Sequence, residues 1–158
     1  MSSRPSRLQH ELKQAKAFPS RAAEAFLGIV RTAAVLDHAV GDALRPYGIT
    51  STQYNVLRIL RGAGKEGMCG REVGERLVAQ VPDVSRLLDR MVEMGLACRE
   101  RDTADRRHVT ARITPKGLRL LETVQAPLLR IERERFGHLD AATLDALIGT
   151  LDAVRAGS

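Results

Sequence analysis

One acid and two adjacent arginines, Asp105, Arg106 and Arg107, fall inside TADRRHVTARITPKG (103–117), just ahead of the alternating apolar residues Val109, Ala111 and Ile113. A guanidinium carries five donors in a rigid fork and stays charged, so two of them at a hairpin tip suit phosphate oxygens or a narrow, negatively charged groove. Asp105 gains nothing from an anionic partner, and its use there is to hold a neighbouring guanidinium in a fixed orientation. A solvated, salt-bridged turn would employ the same residues. The elements that precede the tip decide between the two.

The stretch MCGREVGERLVAQVPDVSRLLDRMVEMGL (68–96) reads as two short helices joined by a tight turn. The first spans about Gly70 to Leu77 with Val73 and Leu77 facing inward. The second is expected to begin near Pro82, because proline is favoured at a first helical position. Its Val84, Leu87, Leu88 and Met91 share one side, while Arg86, Asp89, Arg90 and Glu93 share the other. One face packs and the other is free to meet a partner. In its first turns Arg86 can bind guanine bidentately, for about 1–3 kcal/mol of discrimination. Gln80 suits adenine, and Ser85 a phosphate or a base. Asp83 can accept from cytosine or complement the helix dipole. Arg90, further along, can join them or pair with Glu93 or Asp89. Arg71 and Lys116, each near a helix start, suit phosphate.

After Gly95, LACRE and HVTARI are short enough to be strands flanking the charged tip. Upstream, Phe26, Ile29, Val30, Ala33, Leu36, Val40 and Leu44 recur at helical spacing, predicting an amphipathic helix from Ser20 to near Arg45. Thr50 and Gln53 make a capping box for a helix carrying Val56, Leu57 and Leu60. Downstream, Thr114 and Pro115 start a helix through Leu118, Leu121 and Val124, with Pro127 expected to kink it. Asp140 caps a last helix striped by Leu144, Leu147, Ile148, Leu151 and Val154. The fold class is therefore mainly α with a small β-wing: a winged helix-turn-helix whose N- and C-terminal helices, about 30 apolar-striped residues at each end, exceed what a winged domain of about 65 can cover and are expected to form a dimerisation domain. The expected organisation is a basic arm at 1–19, a dimerisation helix at 20–48, the winged domain at 49–114 and C-terminal dimerisation helices at 115–158.

Composition agrees. The 158 residues carry 25 Lys and Arg against 19 Asp and Glu, a formal charge of +6 that favours an anionic partner. Aromatic content of 3% with no Trp argues against the stacking surfaces of single-strand and RNA readers, which leaves duplex readers. Two cysteines are too few for a secreted disulfide scaffold and have no zinc spacing, and no run suits a membrane span or signal peptide. A cytoplasmic location is expected, with no metal, no cofactor and no membrane partner. Neither a Walker loop nor a nucleophile elbow is present and the four histidines are scattered, so no enzyme and no catalytic residues are expected.

The segments GITSTQYNVL, REVGERL, VSRLLDRMVEMGL, DRR and ITPKGLRLLETV, in that order, resemble the MarR family of bacterial transcriptional regulators from about residue 22 onward. The resemblance implies an obligate homodimer binding double-stranded DNA at a pseudo-palindromic operator, commonly a repressor released by a small aromatic or phenolic effector. It places 80–90 in the major groove and Arg106 or Arg107 in the minor groove, without choosing between them. His38 and Tyr54 are candidates to line an effector cleft. Some relatives instead sense oxidation through cysteine. Cys69 stands where the family usually has a capping Ser or Thr, and a thiol at a helix N-terminus is activated, which makes it a candidate sensor. The family's sensors carry their cysteine in the first helix, which has none here. A winged helix turned to protein contacts without specific DNA binding is the remaining alternative.

Overall fold

A computed structural model describes residues 6–101 and 109–157. The chain divides into two compact units, residues 1–42 and 43–158. The first begins with α1 (Arg7–Glu11), a short helix inside the stretch expected to be an arm. Ser6 caps it by accepting from the Gln9 N–H at 3.2 Å, and Arg7 pairs with Glu11 at 3.0 Å. These local bonds are what the arm's charge count did not reveal. In α2 (Arg21–Leu44) the periodic apolar residues form one long helix, opened by Ser20, whose hydroxyl accepts from the Ala23 N–H at 3.0 Å. Its apolar side is largely uncovered: Phe26 is 66% exposed and Val30 51%.

In the second unit a 3-10 turn at Arg45–Tyr47 ends at Gly48, with φ of 71°. Thr50 and Gln53 then close a reciprocal cap on α3 (Ser51–Ala63): each side chain accepts from the other's backbone N–H, at 3.2 and 3.0 Å. The inward stripe of α3, Val56, Leu57 and Leu60, is fully buried and founds the core. Each such side chain contributes roughly 1.5–3 kcal/mol through burial.

The sheet has three strands rather than the two of a simple hairpin. β1 (Met68–Cys69) pairs with β3 (Val109–Ile113), as does β2 (Ala97–Arg101), both antiparallel in the order β1-β3-β2. Two residues are too few to show an alternation, so β1 leaves no periodic trace in the sequence. Gly67 makes the pairing possible. Its φ is 71°, and a Cβ there would meet the Ala111 carbonyl oxygen at 2.6 Å.

Helices α4 (Gly70–Arg76) and α5 (Val84–Glu93) are joined by residues 77–83, a longer connection than the expected tight turn. Pro82 lies outside α5, because Asp83 takes the N-cap with its Oδ1 accepting from the Arg86 N–H at 2.9 Å. A side-chain cap wins here over the proline preference. Val73, Leu88 and Met91 fill the space between these helices, α3 and the sheet.

Thr114 caps α6 (Pro115–Phe136), which runs on through Pro127. Gly117 lets its first turn approach the sheet, since a Cβ there would lie 2.5 Å from the Leu96 carbonyl oxygen. In α7 (Ala141–Ala156), capped by Asp140, no residue is buried. No helix among the described residues is long and apolar enough to cross a membrane.

Candidate nucleic-acid interface

The amphipathic pattern of α5 fixes what it shows to solvent. Leu88 and Met91 are fully buried and Val84 and Leu87 half-buried, so Ser85, Arg86, Asp89, Arg90 and Glu93 stand exposed on the opposite side. Gln80 is exposed on the connection before the helix. The three residues 80, 85 and 86 therefore gather around the start of α5, the end of a recognition helix that reaches base edges. Asp83 is occupied as the cap, so its carboxylate satisfies the helix's own N–H groups.

Two of these side chains are held from the sheet. Arg99 on β2 reaches back across α5, donating from Nη2 to the Ser85 hydroxyl at 3.1 Å and from Nη1 to the Asp89 carboxylate. Its Nε is buried without a partner among the described residues. Asp89 is thereby taken by Arg99 rather than by Arg90, its neighbour on the helix. Arg99 was not among the residues singled out from sequence. The contact spans ten residues to Asp89 and fourteen to Ser85, and only the folding of β2 onto α5 creates it. Arg112 was likewise not foreseen. From β3 it pairs with Glu100 and donates to the Lys65 carbonyl at 2.6 Å, tying the base of the β2–β3 pair to the chain after α3.

The far end of α5 is anchored to α6. The Thr114 hydroxyl donates to the Gly95 carbonyl at 2.7 Å and accepts from the Gly117 N–H, while the Lys116 ammonium donates to the Met94 carbonyl at 2.8 Å. Lys116 thus places its charge at the C-terminal, negative end of α5. Arg71, the other expected phosphate contact, is exposed on α4 and bonded to Glu75 one turn on at 3.0 Å, which strengthens its hold on its proton. Asp105, Arg106 and Arg107 lie outside the described residues.

Known proteins share this fold. The sequence profile of the MarR family matches residues 47–108. An uncharacterized HTH-type transcriptional regulator of Bacillus subtilis, YkoM, is 31% identical over 116 residues, 72% of either chain. The chain belongs to the MarR family. A crystal structure of a MarR transcription factor from Planctomyces limnophilus is 33% identical, with a TM-score of 0.67 over 86% of this chain and 98% of that one. CouR from Rhodococcus jostii RHA1, solved bound to p-coumaroyl-CoA, is 25% identical, with a TM-score of 0.69 over 87% and 95% of the two chains. The expected fold, mainly helical with a small antiparallel wing, is that of the family, and its members are DNA-binding regulators rather than enzymes.

This MarR protein also has a cleft of about 440 Å³, lined by Tyr47, Ile49, Met94, Leu96, Lys116, Arg119, Leu120 and Thr123. Neither residue expected to line a cleft belongs to it. Tyr54 lines a smaller groove, about 180 Å³, between α3 and α6, with the Arg58 guanidinium 6.0 Å from its ring centre. His38 is exposed on α2, with Nε2 3.4 Å from Asp42. Sequence periodicity could not find the larger cleft, because its walls come from three separate places in the chain.

Cys69 is the N-cap of α4, where the Glu72 carboxylate accepts from the Cys69 N–H at 2.9 Å. That backbone bond first, and the Cys69 thiol second, hold the Glu72 carboxyl below its usual range. Both cysteines are free, and they sit on strands flanking β3: Cys69 opposite Thr110, Cys98 opposite Arg112. Two strand spacings, roughly 10 Å, and a register offset of two residues, about 7 Å along β3, separate them. A disulfide within the chain would need Cα atoms closer than about 7 Å.

Proposed function

We propose that this MarR protein is a homodimeric, sequence-specific repressor that holds a pseudo-palindromic operator in double-stranded DNA and releases it when a small aromatic or phenolic anion enters the cleft beside Lys116. The observation that carries the reading is α5 itself. Its apolar side is spent on the core, and its polar side carries Arg86 and Arg90 into solvent. Arg86 reads guanine, Gln80 and Ser85 assist at the helix start, and Arg90 follows along the groove. Arg71 adds a phosphate contact, whereas Lys116 serves by holding the end of α5. In the segment 103–117 the sequence motif supplies the wing, with Arg106 or Arg107 in the minor groove and Asp105 fixing the fork.

Two copies are needed because the apolar sides of α2 and α7 are not covered within one chain. Phe26, Val30, Ile148 and Val154 are each more than half exposed. A second copy covers such faces at low cost.

Release follows from the cleft. CouR was solved with an acyl-CoA of a phenolic acid. Here Lys116 and Arg119 offer two cations above the apolar Ile49, Leu96 and Leu120. An anion drawing the Lys116 ammonium away from the Met94 carbonyl frees the C-terminal end of the recognition helix. The deciding experiment is selection from a random duplex library near 150 mM salt. The expected result is an enriched palindrome with half-sites about 10 bp apart, lost on adding a hydroxybenzoate or a hydroxycinnamate. Binding without enrichment that vanishes as salt rises overturns the reading.

A further inference from the structure

Val78 is 91% exposed, the most exposed large apolar residue among those described. It lies in the connection between α4 and α5, within the run LVAQVP (77–82), six consecutive uncharged residues in a chain that is 28% charged. Single exposed valines are ordinary, but this one is also held in place. Its N–H donates at 2.9 Å to Oδ1 of Asn55, a side chain of α3 whose own helix is anchored in the core. A protruding isopropyl group on a tethered backbone, in the connection that leads into α5, is a shape that phosphate does not reward. The apolar group that a major groove offers is the 5-methyl of thymine.

We infer that Val78 is a specificity-determining residue that packs on one thymine methyl in each half-site, adding an apolar contact to the polar readout by Arg86. The inference rests on the DNA-binding reading above. Ala79, exposed beside it, leaves room for the base pair to approach, and Gln80 follows as a polar neighbour able to read the adjacent adenine. The neutral run thus keeps phosphates from competing for the position.

The test uses the full-length dimer and the operator that library selection returns. Each thymine in turn is replaced by deoxyuridine, which removes the methyl and keeps every hydrogen-bonding group. Dissociation constants are measured for the wild-type protein and for Val78→Ala at one salt concentration. One thymine per half-site is expected at which uracil weakens the wild type about fourfold, the worth of one buried methyl. Val78→Ala, carried by both subunits, should lose that factor once per half-site, about sixteenfold in all, on the thymine operator and show no further loss on the uracil one. Equal tolerance of uracil at every position by the wild type overturns the inference. So does a Val78→Ala loss that simply adds to the uracil loss, which would place the side chain on a sugar. A wild-type protein that selects no site removes the DNA-binding reading itself, and the inference with it, an outcome visible before any uracil is introduced.

Discussion

Helices α5 and α7 both carry apolar residues at helical spacing, yet they end in opposite conditions. In α5 the apolar side is largely consumed by α4 and β2, and what remains outside is mainly polar. In α7 no residue is buried, and Leu147, Ile148 and Val154 remain open. The free surface of the first calls for a polar, anionic partner, and that of the second for an apolar one. One chain thus encodes two different kinds of incompleteness, and the chemistry of each leftover face names its partner.

The sharpest way to test the contrast is truncation on each helix. Leu88→Ala opens a cavity in a side of α5 already packed within one chain, so it should cost about 2–5 kcal/mol in urea unfolding, independent of protein concentration. On the polar side of the same helix, Arg86→Ala should leave the unfolding midpoint within experimental error while removing about 1–3 kcal/mol of base discrimination in competition binding. On α7, Ile148→Ala should act through association. The expected change is a dimer dissociation constant raised about tenfold in sedimentation equilibrium, with a melting temperature that depends on concentration. A concentration-independent loss at Ile148 would mean that α7 is completed within its own chain, and the contrast would fail.

Where sequence reasoning succeeded, the signal was local. The Thr50 and Gln53 box, the Thr114 and Pro115 start and the stripe of α5 each rest on residues three or four apart, and the helices they announce are present. Most of the failures are of another kind. β1 exists only because residues 68–69 meet 110–111, Arg99 matters only because β2 lies against α5, and the 440 Å³ cleft joins three distant stretches. At Pro82 two local rules competed. The cap at Asp83 prevailed, since an aspartate that accepts an N–H of the first turn stabilises it directly whereas proline only tolerates the position.

The junction between the two kinds of helix gives a smaller test. Thr114 caps α6 and at the same time bonds the Gly95 carbonyl at the end of α5, so it couples α5 to α6. Thr114→Ala should cost about 1 kcal/mol in unfolding. Thr114→Ser restores both bonds and should recover most of that loss. If serine fails to rescue, the hydroxyl is not what joins the helices.

The smallest expected effect is one of pH, and it separates α7 from a helix of the winged domain. Asp140 caps α7, and the Thr143 side chain first, then its backbone N–H, hold the Asp140 carboxyl below its usual range. A group lowered in the folded state contributes stability that is complete above its unfolded value, near pH 4, and is lost as pH falls through the lowered folded value. Asn caps about as well and does not titrate in this range. The difference in melting temperature between wild type and Asp140→Asn should therefore be flat from pH 7 to about pH 5, then shift against the wild type on further acidification. Glu72 on α4, lowered by the Cys69 N–H, predicts the same direction for Glu72→Gln. The readouts differ, however. Because α7 is uncovered in one chain, the Asp140 shift should grow with protein concentration as the dimer draws on an ordered α7, whereas the Glu72 shift, arising inside the winged domain, should not change with dilution.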